Sequence, residues 1–513
     1  MLNFARANLL HVIRFVGSAC LICVHLGCGN SDAQADPDAN PLTNPLPVAQ
    51  SNNIDAKPAP SSEPETVLQP NTKPNWQLAQ RPNKPPPDKP RILGDLLDDE
   101  EYQVRKMPVD EARVTANGIR KLSSKHLILY TDLPRAPKVD ELPAVFDKAV
   151  PFWCEYFGLD LAKMNDWQMT GFLMKDEQRF INARVFPEEV RGFLHGFQRG
   201  YELWLFDQPS DYYRRHLLLH EGTHGVMNLK LGGMGPPWYA EGMAELLATH
   251  RWQDGKLTMR YNPKSKQEVP YWGRVKIIND AYAAGQGQPL GDIFQLGPTA
   301  HRRVDAYAWS WAAASFLDHH PDYQERFRTL QKQVKRTTVE FNRDFLNATK
   351  DHWVEIQEQW HLYIREMQYG YDVSRAAVAY KRGQPLAIGG ARVNIDAARG
   401  WQSSGVRLEK GRTYEITASG RYQVGDQPKT WWCEPNGVTI EYFNDRPLGI
   451  LVATIRDDDN AAGNSPYFSK SAAVGTGREI TPSWSGTLYF KINESAARLS
   501  DNDGNLAVQI RAK

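Results

Sequence analysis

The chain has almost no charge bias. Its 61 lysines and arginines face 60 aspartates and glutamates, a net charge of +1 over 513 residues. That balance points neither to nucleic acid nor to a membrane surface held by electrostatics. Cysteine is scarce, with five residues in all. Cys20, Cys23 and Cys28 belong to the N-terminal leader, and Cys154 and Cys433 fall in regions of different pattern. This excludes a disulfide framework and a cysteine cluster for a structural metal, and nothing supports a Cys154–Cys433 bridge. The apolar run Phe15–Leu26 is too short to span a bilayer comfortably. What is plentiful is chain length, enough for two or more domains, and tryptophan, 15 residues that suit well-packed domains or stacking on sugars.

The first residues read as a secretory leader, with Arg6 and Arg14 basic before or within the apolar run. Gly27-Cys28 closes it and polar Gly-Asn-Ser-Asp follows. This resembles the lipobox of bacterial lipoproteins, in which the cysteine is lipidated and becomes the mature N-terminus. His25 stands where the family usually has Leu, so lipidation of Cys28 and ordinary cleavage both remain readings. Either way the expectation is export, to the periplasm, the cell surface or the medium, with membrane contact only through a lipid anchor. Residues 29–95 are rich in Pro, Asn, Ala, Ser and Asp, and Arg81–Pro90 is an extended proline tract. Such a segment buries too little apolar surface to offset its ordering entropy, and it reads as a tether or a plain spacer.

The chemistry is concentrated in Leu217–Glu245. His220 and His224 are four apart, which puts both imidazoles on one helical face, and Glu221 between them reaches a water on a shared metal. Zinc in such a site needs a third protein ligand and an open position. Glu241, in Trp238-Tyr-Ala-Glu-Gly, and Glu245, one turn later, are the available carboxylates. From spacing alone, one is the ligand and the other orients a ligand imidazole. The pattern resembles the gluzincin metallopeptidases, especially their peptidase-MA-type members. That resemblance implies Glu241 as the ligand, Glu245 as the orienting carboxylate and Glu221 as general base. Metzincins are excluded, because Met227 and Lys230 stand where they need Gly and a third His.

Around this motif, strands are expected at His126–Thr131, Gln168–Met174 and Tyr201–Phe206, with a helix over Val139–Tyr156 bent near Pro151. This order resembles the gluzincin N-terminal sheet, whose edge strand lies beside the cleft and binds extended peptide. The motif helix should run from Asp211, as its cap, to Leu229, with Gly232-Gly233 ending it and Pro236-Pro237 opening the next. Tyr307 is the candidate oxyanion donor by resemblance to a helix bearing a catalytic Tyr in some gluzincins; its other reading is a packing tyrosine. His195 faces the cleft or sits on a surface loop. His301, Arg302 and Arg303 either bind a substrate carboxylate or form a solvated turn. Residues 311–375 repeat apolar positions at helical spacing and should close the cleft as core.

After Tyr371 the period becomes that of short strands separated by Gly, Pro and Asn-Asp turns, an all-β sandwich signature. Gly400-Trp-Gln-Ser-Ser-Gly, Ile416-Thr-Ala-Ser-Gly, Leu448-Gly-Ile-Leu-Val, Leu488-Tyr-Phe-Lys-Ile-Asn-Glu and Asp501-Asn-Asp-Gly-Asn resemble the LecA (PA-IL) type of galactose-binding lectin. The resemblance implies a calcium ion held by Glu494, Asp501 and Asn502 with the carbonyls of Val424 and Arg498. It is not an EF-hand, since Gly504 comes too early. Glu494 replaces the family's Asp, Cys433 falls near its sugar-contacting His, and Asn436 near its Gln, so galactose specificity and calcium both stay open. Trp431 and Trp432 either stack on sugar or belong to the core.

The expected architecture is therefore α+β. It comprises a leader (1–28), a linker (29–95), a mainly helical zincin-like domain with a small N-terminal sheet (96–378), and a β-sandwich (379–513). The expected function is an exported zinc metallopeptidase acting on peptide, protein or glycoprotein, directed to glycans by its C-terminal domain, with no nucleic-acid partner. The alternative is a lectin-like binding or adhesion protein whose peptidase fold is idle. A third reading makes the β-domain a lid or interaction module.

Overall fold

The computed structural model describes residues 106–187, 193, 195–300 and 303–513. The leader with Cys28, the linker, the acidic stretch Asp95–Glu101, and His301 and Arg302 lie outside the described residues. The described chain is a mixed α+β structure with several β-sheets, and no described helix is long and apolar enough to cross a membrane.

The first sheet contains β1 (Arg120–Ser123), β2 (Leu127–Thr131), β3 (Met169–Met174), β4 (Gly196–Arg199) and β5 (Glu202–Phe206), in the order β1-β2-β3-β5-β4. β2, β3 and β5 run parallel, and β1 and β4 close the two edges antiparallel. Alternate side chains go to opposite faces. Leu127, Leu129, Met169, Leu203 and Leu205 enter the main core. Tyr130, Phe172, Met174 and Trp204 form a smaller core on the other side, with Phe172 and Trp204 stacked 4.1 Å apart. The expected strand Tyr201–Phe206 is thus internal, and the edge beside the helices is β4, in a stretch that reads as a loop.

Seven longer helices are labelled here: α1 (Leu142–Phe157), α2 (Asp211–Val226), α3 (Pro237–Ala248), α4 (Arg274–Ala283), α5 (Val304–His319), α6 (Thr338–Thr349) and α7 (Trp353–Arg365). The single helix expected over Val139–Tyr156 is two pieces, a short turn Pro137–Asp140 and then α1. α2 is capped by Ser210 rather than Asp211: Ser210 Oγ accepts from Tyr213 N–H at 3.0 Å. Asp211 follows in the first turn, where a carboxylate suits the helix dipole. α2 ends at Val226, and a π-turn over Met227–Leu231 leads to Gly232 at φ 75°. Pro237 opens α3, as its fixed φ favours. α3 lies directly on α5, because a Cβ on Gly242 would stand only 2.7 Å from the Ser310 carbonyl oxygen. The hairpin β6 (His250–Gln253) and β7 (Lys256–Met259) follows α3.

The C-terminal region holds two larger sheets. One runs β13 (Ala472–Ala473), β12 (Leu451–Arg456), β15 (Gly486–Ile492), β10 (Gln402–Leu408), β8 (Gln384–Pro385). The other runs β14 (Gly477–Ile480), β11 (Tyr414–Ser419), β16 (Asn505–Ala512), β9 (Ala391–Asp396). Both feed one apolar core, with Leu408, Ile455 and Phe490 from the first and Ile416, Val508 and Ile510 from the second. β12 is buried along its whole length. Its other face meets the helical region: Val452 and Tyr489 pack with Leu362 of α7, Val378, Trp401 and Phe468. Glu358 of α7 accepts from Arg456 Nε at 2.9 Å and from the Tyr380 hydroxyl at 3.0 Å. Further along, Ala496 and Leu499 enter the main helical core, and Asp372 N–H donates to Ala496 O at 3.0 Å.

Candidate metal centre

α2 is buried nearly all round although it carries His216, His220 and His224 on one face and Glu221 beside them. Main-chain hydrogen bonds are met within the helix, so only the side chains need partners. His220 Nε2 and His224 Nε2 lie 3.2 Å apart. Glu241 Oε2, on α3, is 3.2 Å from His220 Nε2 and 3.5 Å from His224 Nε2. These ligand atoms make a nearly equilateral triangle. The edge of a tetrahedron with zinc bonds of 2.0–2.1 Å is about 3.3 Å, so the donor set fits zinc without rearrangement. Glu241 Oε2 is buried with no hydrogen-bond donor among the described residues. Burial works against its charge, yet His224 and His220 hold its pKa down at about 2.

Glu245 sits one turn further along α3 and does not share that triangle. Its Oε1 is 3.3 Å from His220 Nδ1, and its Oε2 is 3.3 Å from His216 Nε2. The imidazole of His220 is therefore held from behind by a carboxylate, as the orienting role requires. Arg274, the first residue of α4, grips the same carboxylate with Nε at 3.0 Å and Nη2 at 2.8 Å. Burial opposes ionisation of Glu245, but Arg274 and His216 keep it well below the usual carboxylate range. His224 Nδ1 has no such support among the described residues.

Glu221 is buried, and burial raises its pKa against the pull of His220 and His224. A carboxyl tuned upward is the form a general base takes near neutral pH. Its carboxylate lies against the edge strand: a Cβ on Gly196 would collide with Glu221 Oε1 and stand 2.9 Å from its Cγ. Only glycine allows β4 to approach α2 this closely. Tyr307, on α5, comes to the same place, its ring 5.8 Å from that of His220. Burial and then Glu241, Glu221 and Glu245 push its phenol pKa upward, which keeps the hydroxyl protonated and able to donate. His195 precedes β4 and is exposed, with its ring 6.4 Å from Tyr213. Arg303 pairs with Asp305, which leaves it no visible part in the centre.

His216 and Arg274 are the members that motif reading misses. His216 lies one turn before His220 on the same face, a signal present in the sequence. Arg274 follows Glu245 by 29 residues, and no spacing rule connects them.

The calcium candidates are also drawn together. Asn502 Nδ2 donates to Glu494 Oε2 at 2.8 Å and to Ala397 O at 3.0 Å. Glu494 Oε1, Asp501 Oδ1 and Asn502 Oδ1 are buried without a hydrogen-bond donor among the described residues. The nearest positive charge to the first is Arg498 Nε, at 3.3 Å. Burial pushes the Glu494 pKa up to about 8. Hard oxygens lacking donors are what a calcium ion takes. Asn436 is not part of that group by any contact here, since its Oδ1 accepts from Thr476 N–H at 2.9 Å. Trp432 is half exposed under the Arg421 guanidinium, whereas Trp431 packs on the β core. Cys433 is buried against the Tyr422 hydroxyl and Glu434 O.

No family model matches the chain, and no curated protein is similar to it in sequence. Among solved structures, a domain described as "EclA N-terminal domain; PllA-like lectin" is similar, with 21% sequence identity over 24% of this chain and 96% of that one. The TM-score is 0.19.

Proposed function

We propose that this chain is a zinc metallopeptidase of the gluzincin type. The carrying observation is the triangle of His220 Nε2, His224 Nε2 and Glu241 Oε2, with edges of 3.2, 3.2 and 3.5 Å. When bound there, zinc supplies Lewis acidity toward a peptide carbonyl and toward water. Glu221 takes the proton from the attacking water and passes it to the leaving amine. The Tyr307 hydroxyl donates to the oxyanion that develops on the carbonyl. β4 ends the sheet among the described residues, and an edge strand suits an extended peptide backbone. Export rests on the leader sequence alone, and so does lipidation of Cys28.

The test uses the purified full chain with zinc and a mixed peptide library read by mass spectrometry, beside Glu221→Gln. Zinc-dependent cleavage lost in the variant is the expected result. A zinc-loaded protein as inert as the variant, on peptides and glycopeptides alike, would overturn the reading.

A second reading concerns the C-terminal region, which we propose as a β-sandwich that binds glycan through calcium at Glu494, Asp501 and Asn502. The three donorless buried oxygens favour it. A glycan array probed with the full chain, with calcium and then with chelator, tests it. If the array is blank in both, the region is left as an interaction module. Should glycan binding appear without any peptidase activity, the chain is the lectin-like binding protein with an idle peptidase fold.

A further inference from the structure

Arg274 stands behind the metal centre, on the carboxylate that faces His220. It is buried, and its guanidinium bridges both oxygens of Glu245. Each oxygen thereby accepts from Arg274 on one side and faces an imidazole on the other, His220 Nδ1 at Oε1 and His216 Nε2 at Oε2. The same guanidinium lies 5.6 Å from the centre of the Tyr307 ring. The backbone is bent to deliver it. Tyr271, at φ 69°, and Gly273, at φ 65°, both adopt the left-handed region just before α4. For Tyr271 that conformation costs of order 1 kcal/mol or more, and Trp272 between them is anchored in the main core.

We propose that Arg274 is a positioning residue of the metal centre: its two-point grip on Glu245 fixes the carboxylate that orients His220, and its face supports Tyr307. The inference rests on the metallopeptidase reading. Physically, a carboxylate buried beside two imidazoles is free to rotate unless a planar fork holds both oxygens. Lysine carries the charge but cannot make the fork.

The test measures zinc affinity of the full chain by competition with a chromogenic chelator. It compares wild type, Arg274→Gln, Arg274→Lys, Glu245→Gln and the double variant Arg274→Gln/Glu245→Gln. Loss of an outer partner of a ligating histidine weakens metal binding by about 10- to 100-fold. That loss is expected for Arg274→Gln, with Arg274→Lys recovering part of it. On the Glu245→Gln background the Arg274 change should add nothing, since Arg274 acts through Glu245. Removing both charges together also avoids leaving one buried and unpaired, so the double variant decides the matter if Arg274→Gln does not fold. Wild-type affinity in Arg274→Gln, or losses that multiply in the double variant, would overturn the proposal. A wild type that binds no zinc would instead remove the metallopeptidase reading itself.

Discussion

At the scale of single residues, the proposed chemistry turns on three positions that are replaceable without touching the ligands. Glu221→Gln should lower kcat by roughly 100- to 10,000-fold, the range for a lost general base, while zinc content stays at that of wild type. Tyr307→Phe should cost about 100- to 1,000-fold in kcat with little change in KM, as expected of a donor that acts only on the developing oxyanion. Gly196→Ala is the less obvious case. The added methyl falls on the Glu221 carboxylate, so peptide hydrolysis should drop sharply while chelator competition reports unchanged zinc affinity. A Gly196→Ala protein as active as wild type would show that β4 and Glu221 are free to separate.

Elements carry the second set of consequences. α3 and α5 meet at Gly242, where a Cβ would press on the Ser310 carbonyl. Gly242→Ala should therefore destabilise the chain by about 1–3 kcal/mol through overpacking, read as a fall in the denaturant midpoint at constant slope. Ser210→Ala should cost about 1 kcal/mol for the lost cap of α2. These elements were unequally legible in the sequence. His220 and His224 on α2 could be read because their chemistry follows a fixed helical period, whereas Glu241 on α3 came from the resemblance, since spacing alone left it exchangeable with Glu245. β4 could not be read, because two glycines in Gly-Phe-Leu-His-Gly signal a loop. Gly196 is small because another element's carboxylate occupies the space. Arg274 was hidden for a different reason. Its place depends on two left-handed residues and a buried tryptophan, none of which has a period. Ser210 and Asp211 both suit a cap by residue type, and only the backbone decides that Ser210 holds it.

At the scale of the whole molecule, the helical and C-terminal regions are joined through Glu358, Arg456 and Tyr380. Burial pushes the Glu358 pKa up to about 7 from 4.5, even with the Arg456 charge beside it. Between those values the folded chain holds a proton that the unfolded chain has lost. Its contribution to stability is thus complete below about pH 4.5 and is lost as pH rises through 7. The amount is on the order of 3 kcal/mol. Thermal unfolding should show wild type losing stability across that window relative to Glu358→Gln, which cannot titrate. A difference between the two that stays flat from pH 5 to 8 would remove Glu358 as the cause.

The loop between Glu494 and Asn502 has a consequence for reach. Its middle, Ala496 and Leu499, is planted in the helical core, while its two ends bear the oxygens proposed to hold calcium. A ligand gripped by that loop is therefore kept at one separation and one angle from the metal triangle. A peptidase hung on a flexible tether from its sugar would cut anywhere within the tether's length. Under the proposed function, cleavage would fall at a set interval from the bound sugar, as a gauge measures.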